Sequence, residues 1–153
     1  MEIRPVQTAA DLDAVRALLE EYWTSFGFAP CFQDFASELA NLPGSYAPPA
    51  GRLAAAFVDT AAEGCIALRR FDARRAEAKR LYVRPAFRGR GIGRALLDWI
   101  IAEAKSAGYE ELVGDTMPVM SQALDMYTRA GFEQTAPYAS YPAPGAIYIR
   151  LKL

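Results

Sequence analysis

The chain contains no histidine in 153 residues. That absence removes imidazole-dependent nucleophile triads, Cys–His pairs and histidine-bearing metal sites together, and no metal centre is expected. Cysteine is nearly as scarce: only Cys31 and Cys65 are present, too far apart for a C-x-x-C site. A single disulfide is open to them, but two cysteines in a chain of this size point more to reduced thiols in a cytosolic protein. With no histidine to activate them, neither is expected to carry an acyl group as a nucleophile. No apolar run approaches the roughly 18–20 residues needed to cross a bilayer. Met1-Glu2-Ile3-Arg4-Pro5 lacks the apolar core of a secretion signal. A charge excess is missing as well: 17 basic against 18 acidic residues leave a net charge of −1, so the broad basic face of a nucleic-acid binder is not expected. What remains, with 52% apolar and 23% charged residues, reads as a soluble globular chain. It is long enough for one domain over residues 1–153 with a substantial core. A cytoplasmic protein with no membrane or nucleic-acid partner is expected.

Against this balanced background one segment stands out: Arg88-Gly89-Arg90-Gly91-Ile92-Gly93-Arg94. It follows the strand-like run Ala78-Lys79-Arg80-Leu81-Tyr82-Val83 and opens an amphipathic helix over about residues 91–107. Glycine at every second position lets main-chain N–H groups turn inward without Cβ clashes. At a helix N-terminus those amides and the helix dipole make a seat for an anion. Arg84, Arg88, Arg90 and Arg94 surround it with matching charge. A Rossmann fingerprint fails, because G-x-G-x-x-G would need glycine at position 94. The G-x-x-x-x-G-K-[S/T] phosphate loop is absent. A glycine-rich turn that merely starts a helix is the plain alternative.

Periodicity predicts the rest of the order. A first strand covers residues 2–6. Thr8 is the expected N-cap with Asp11 as its capping-box partner, opening a helix that carries Leu12, Val15, Leu18, Leu19 and Tyr22 and ends near Phe26-Gly27. A second helix starts near Phe32 or Gln33 and runs to Leu42. Pro43-Gly44, Pro48-Pro49 and Gly51 mark a long turn. Strands follow over 51–59 and 64–71, joined by a hairpin around 60–63, and a third over 77–83 is stopped by Pro85. After the helix of 91–107, with Gly108 as its stop, come a strand over 111–116, a helix over 120–130 stopped by Gly131, and two strands from 132 and over 146–153. This is a mixed α/β sheet.

The order and the motifs together resemble the GNAT superfamily of acetyl-CoA-dependent N-acetyltransferases over essentially the whole length. The family's signature Gln/Arg-x-x-Gly-x-Gly/Ala is matched by Arg88, Gly91 and Gly93, with Gly89 in the usual extra glycine position. Its later Leu/Met-Tyr-x-x-x-Gly-Phe is matched by Met126, Tyr127, Gly131 and Phe132. The segments 79–85 and 144–147 also look like those of small bacterial members. The resemblance implies a centrally splayed mixed sheet flanked by about four helices. It also implies acetyl-CoA as donor and direct transfer of its acetyl group to a primary amine of a small molecule. One departure stands out: many members carry asparagine, which helps hold the pantetheine arm, where this chain has Met120.

Acetyl transfer makes definite demands. An alkylammonium with pKa near 10 is neutral only about once in a thousand at pH 7, so a base is needed. The oxyanion requires a donor, and the departing thiolate a proton. Period-two alternation places Glu77 on one strand face with Lys79, Leu81 and Val83. Glu77 also aligns with a catalytic glutamate of several GNAT enzymes, although a surface glutamate paired with Lys79 or Arg75 is an equal reading. The resemblance implies Tyr127 as the acid near the sulfur, and a main-chain N–H around Tyr82 or Val83 for the oxyanion. It implies Leu81 and Val83 as backbone partners of pantetheine. The amides from Arg88 through Gly89, Arg90, Gly91, Ile92 and Gly93, with the side chains of Arg90 and Arg94, would hold the pyrophosphate. On the acceptor side lie Tyr22, Trp23, Phe26, Phe28, Phe32, Tyr46, Tyr138, Tyr141 and Pro142. Glu20, Glu21, Asp34 or Glu38 are available there to attract a cation. Half or more of the aromatics are expected to be core. A non-catalytic acyl-CoA-binding module and a protein or peptide N-acetyltransferase are the alternatives, and an isologous dimer is common enough to expect.

Overall fold

A computed structural model of the chain describes residues 1–25, 35–139 and 145–153. Its middle is built from apolar runs buried on both faces rather than alternating, as in Leu53-Ala54-Ala55-Ala56-Phe57. Such a strand must be covered by helices on both sides, and it is. Strands β1 (Glu2–Pro5), β2 (Arg52–Val58), β3 (Ala61–Arg70) and β4 (Arg75–Val83) pair antiparallel in sequence order. Strands β5 (Glu111–Thr116), β6 (Glu133–Thr135) and β7 (Ile147–Lys152) complete one seven-stranded sheet of order β1-β2-β3-β4-β5-β7-β6. Helices α1 (Ala9–Ser25) and α2 (Phe35–Ala40) lie over one face, and α3 (Ile92–Ser106) and α4 (Ser121–Arg129) over the other. The expected mixed α/β sheet with four flanking helices is therefore present among the described residues.

Two strands begin earlier than their side-chain pattern predicts. β3 starts at Ala61 instead of residue 64, because Asp59, at φ 57°, closes a two-residue turn with Thr60. β4 starts at Arg75 instead of residue 77, because the Asp72 carboxylate accepts from the N–H groups of Arg74 and Arg75 at 2.9 and 2.7 Å and turns the chain early. Thr8 does cap α1, its hydroxyl accepting from the Asp11 N–H at 3.1 Å. The capping box is not closed, however: the Asp11 carboxylate accepts from Arg4 instead, at 2.8 Å. The predicted end of α1 and start of α2 lie outside the described residues.

The core divides into two layers. Val15, Leu18, Leu19, Tyr22, Trp23, Phe35 and Tyr46 pack with Ala55, Cys65, Ala67 and Tyr82 on the α1 side. Ile92, Leu96, Leu97, Ile100 and Tyr127 pack with Ile66, Leu68, Ala76, Ala78 and Leu112 on the α3 side. At roughly 1.5–3 kcal/mol per fully buried large aliphatic side chain, these layers hold the sheet rigid below the place where it opens.

Candidate active site

Among the described residues β4 and β5 are the one parallel pair, and their register spans only Arg75↔Glu111, Ala76↔Leu112 and Glu77↔Val113. Beyond those rungs β4 continues to Val83 and β5 to Thr116 without pairing to each other. The sheet splays there. The main chain of β4 on that side is left facing a gap that an extended ligand could enter as a strand would.

The glycine–arginine loop stands at the mouth of this gap. Gly89 and Gly91 have φ of 77° and 81°, a region in which a Cβ costs roughly 1–2 kcal/mol. Gly91 is the N-cap of α3 and offers no side-chain cap. The first main-chain bond of the helix is Ala95 N–H to Gly91 O at 3.0 Å. Consequently the N–H groups of Gly89, Arg90, Gly91, Ile92, Gly93 and Arg94 donate to no acceptor among the described residues. Such a run of amides at a helix N-terminus fits an anion. The four arginines divide. Arg84 turns away to Glu21 at 2.9 Å and Glu63 at 3.2 Å, so it does not belong to the seat as predicted. Arg94 pairs with Asp98 one helical turn on, at 2.9 Å. Arg88 donates to the Val83 carbonyl at 2.8 Å, and Arg90 lies 4.9 Å over the Phe87 ring. Neither Arg88 nor Arg90 has a carboxylate partner among the described residues.

β4 also departs from simple alternation. Cys65 faces Tyr82 and Ala67 faces Lys79, so three residue steps on β4 oppose two on β3. This is a β-bulge, and Arg80 within it has φ 61°. The bulge reverses the side-chain parity. Glu77, Lys79 and Tyr82 lie toward α1, whereas Leu81 and Val83 pack toward α3. The predicted sharing of one face by Glu77, Leu81 and Val83 is thus corrected: the extra residue at 80 moves the last two to the opposite side.

On the α1 side, Glu77 is fully buried at the last paired rung. Its Oε1 accepts from Arg69 Nε and its Oε2 from the Tyr138 hydroxyl, both at 2.7 Å. Of the two pairings weighed above, that with Lys79 is present, its ammonium 3.8 Å from Oε2, whereas Arg75 pairs with Asp72, and the carboxylate is buried rather than at the surface. One position further along, Lys79 and Asp115 meet across the opening strands at 3.3 Å. Burial pushes the Lys79 ammonium below its ordinary value, opposed by Asp115 and Glu77. Tyr138 is itself set edge-on against Phe71 and Tyr148, with ring centroids 5.1 and 5.2 Å apart. Glu38 is not available to an acceptor cation, because Arg80 and the Tyr46 hydroxyl occupy it. Glu21 is similarly engaged by Arg84. Tyr22, Trp23 and Tyr46 are core residues. Phe26, Phe28, Phe32, Asp34, Tyr141 and Pro142 lie outside the described residues.

Tyr127 enters from α4, packed edge-on against Phe132 at 5.2 Å. Burial is the main reason its hydroxyl is held well above the ordinary tyrosine value, with Tyr22 and Asp115 adding to the effect. It therefore stays protonated. Met120 packs into the α1-side layer. The Cys65 thiol is pushed up to about 12 by burial, which makes it inert as a nucleophile, and Cys31 lies outside the described residues.

Sequence reading missed Asp115, Arg69 and the Arg80–Glu38 pair as parts of this region. Asp115 was within reach, since alternation from Val113 puts it on the Glu77 side. The other two depend on the bulge and on partners distant in sequence.

The model of the acetyltransferase (GNAT) family matches residues 12–132. An uncharacterized N-acetyltransferase of Schizosaccharomyces pombe is 37% identical over 155 residues, spanning 100% of this chain and 95% of the relative. Among solved structures, an acetyltransferase from Streptococcus agalactiae superposes with a TM-score of 0.84 at 19% identity, covering 99% of this chain and 98% of that one. An N-acetyltransferase from Thermoplasma acidophilum, solved in complex with coenzyme A, superposes with a TM-score of 0.77 at 21% identity, covering 99% and 98%. The structures establish the fold, and the family model and the relative establish the kinship. The chain belongs to the GNAT acetyltransferase family and is an N-acetyltransferase.

Proposed function

We propose that this N-acetyltransferase takes acetyl-CoA as its donor and acetylates a primary amine of a small molecule by direct attack in a ternary complex. The observation that carries the reading is the meeting of six unpartnered amides, Gly89 to Arg94, with the gap between β4 and β5. The residues present fit the donor: an anion seat for a pyrophosphate, flanked by Arg88 and Arg90, leads into an open strand edge for an extended amide chain. When bound, acetyl-CoA supplies the activated thioester. The main chain of Leu81 and Val83 would hold its arm, and an N–H around Tyr82 or Val83 would face the developing oxyanion. Tyr127, kept protonated by its burial, can donate a proton to the leaving sulfur. Glu77 is reached from the acceptor side through the Tyr138 hydroxyl, which donates to it at 2.7 Å. That hydroxyl can give its own proton to the carboxylate as it takes the amine's. The acceptor would meet an aromatic wall, the half-buried Tyr138 with Phe71 and Tyr148 beside it, which favours a compact amine.

Glu77→Gln and Tyr127→Phe, assayed by thiol release over a panel of amines, test the assignment. Glu77→Gln is expected to lower kcat at neutral pH and to recover in part as pH rises and the amine deprotonates unaided. Tyr127→Phe is expected to lower kcat with little change in KM for acetyl-CoA. An unaltered pH–rate profile in the first variant removes Glu77 from the role. Tight CoA binding with no turnover on any amine would replace the transferase reading by that of a binding module.

A further inference from the structure

One of the two described residues other than glycine at positive φ lies beside the site, and it is gripped from several directions. Arg80 has a Cβ and a long side chain yet adopts φ 61°, where glycine would sit without cost. Its side chain is buried and reaches Glu38 on α2, with Nε to Oε2 at 2.8 Å and Nη2 to Oε1 at 2.9 Å. The Tyr46 hydroxyl donates to the same Oε1 at 2.9 Å, which fixes the carboxylate. The guanidinium lies 5.8 Å from the Trp23 ring and 5.4 Å from the Phe35 ring, two rings that stack on each other at 4.2 Å. The carbonyl of Arg80 is held as well, accepting from the Cys65 thiol at 3.5 Å.

Stability alone does not account for this arrangement. Two buried charges lose their hydration, and well-packed apolar residues usually serve a core as well or better. What a fork-to-fork ion pair adds is geometry: it fixes the direction and distance of the backbone that carries it. The backbone here is the bulge that turns Tyr82 toward α1 and Leu81 and Val83 toward α3. We propose that the Arg80–Glu38 ion pair is a positioning clamp that holds β4 in its bulge and so sets the main-chain groups of residues 81–83 for acetyl transfer. The inference rests on the acetyl-transfer reading for its consequence in turnover, and on the backbone at residue 80 for its structural part. Released from the clamp, a residue other than glycine at position 80 relaxes to an ordinary strand φ. The extra residue is then absorbed elsewhere, and the groups facing the gap are misaligned. Arg80 and Glu38 act through the backbone and touch no reacting atom.

Two double variants, each without either charge of the pair, separate the clamp from a merely structural pair: Arg80→Gly with Glu38→Gln, and Arg80→Ala with Glu38→Gln. They differ by one methyl group. Glycine holds a positive φ unaided, whereas alanine does so at a cost equivalent to roughly 5- to 30-fold in population. The glycine double is expected to keep the bulge in a crystal structure and to retain kcat within a few-fold of the unsubstituted chain. The alanine double is expected to lose the bulge and to fall at least about tenfold in kcat, with KM for acetyl-CoA little changed. A structural pair alone gives the opposite order or none, since glycine in a strand interior is no better than alanine. Equal kcat in the two doubles, or a bulge that persists in the alanine double, overturns the proposal. Should the alanine double fail to fold, the glycine double decides the matter by retaining or losing kcat and the bulge. Absence of amine turnover in the unsubstituted chain would refute the transferase reading instead, and the two crystal structures would still judge the clamp.

Discussion

Two alanine substitutions in the anion seat, only two positions apart, should have different energetic signatures. Gly91 has φ 81°, and a methyl group built on it meets nothing within 4 Å. The penalty of Gly91→Ala is therefore purely conformational, roughly 1–2 kcal/mol. Gly93 has an ordinary helical backbone, and its methyl group would meet the far end of Met126 at 3.4 Å, an everyday contact with a flexible side chain. Alanine is the better helix former by about 1 kcal/mol, so Gly93→Ala should be neutral to mildly stabilising. Where the Gly91 penalty appears depends on the loop. If the loop keeps its conformation without ligand, stability falls; if it relaxes, affinity for CoA falls instead. The sum does not depend on that partition, because it is the stability of the CoA-saturated protein relative to the unfolded chain. For a chain of this length, about 2–4 °C of melting midpoint corresponds to 1 kcal/mol. Gly91→Ala should thus lower the midpoint in saturating CoA by about 2–8 °C, while Gly93→Ala leaves it unchanged or raises it slightly. Calorimetric titration with CoA then shows how the loss divides. Equal shifts for the two variants would refute the assignment of a strained left-handed cap at Gly91.

The arginines should separate in the same titration. Arg88→Ala and Arg90→Ala are expected to weaken CoA binding on the order of tenfold each, as charged hydrogen bonds to a phosphate are lost, and to flatten its dependence on salt. Arg84→Ala should leave affinity unchanged and cost at most about 1 kcal/mol of stability, since its pairs with Glu21 and Glu63 are partly exposed. Lys79 makes a pH prediction. Burial lowers its pKa in the fold from the ordinary 10.5, so just below that pH the unfolded chain binds more protons than the native one. Stability should therefore rise with pH in that window, and urea unfolding of Lys79→Met should lack this rise. A window slope identical in the two proteins would contradict the burial of the ammonium.

Much of the fold was legible because its signals are local. Gly91 and Gly108 bracket α3, Pro85 closes β4, and Gly131 follows α4, each through a property of one residue in one place. The family motifs have the same character: the spacing of Arg88, Gly91 and Gly93 is contained within one loop. Period-two reading failed at Arg80, because nothing in Lys79-Arg80-Leu81 announces an extra residue; its cause is a carboxylate on α2, 42 residues away in sequence. Glu77 was identified as a notable strand carboxylate, but its setting is made by Arg69 and by Tyr138, the latter 61 residues downstream. Glu38 reads as an available acceptor-side charge until its partner is known. Long-range pairing among charged groups is what alternation and motif spacing do not encode.

The two ends of the sheet carry a consequence for strand pairing. β1 has four residues and closes on Pro5, and β6 has three, beginning with Glu133. A strand from another molecule laid along either end would find a rung or two and then a missing N–H, a charge or a turn. Neither described edge therefore offers a long template for edge-to-edge growth. Among the described residues the one large hydrophobic side chain left exposed is Met1. A sheet that opens at its centre has, in its described ends, places at which a stray strand gains almost nothing.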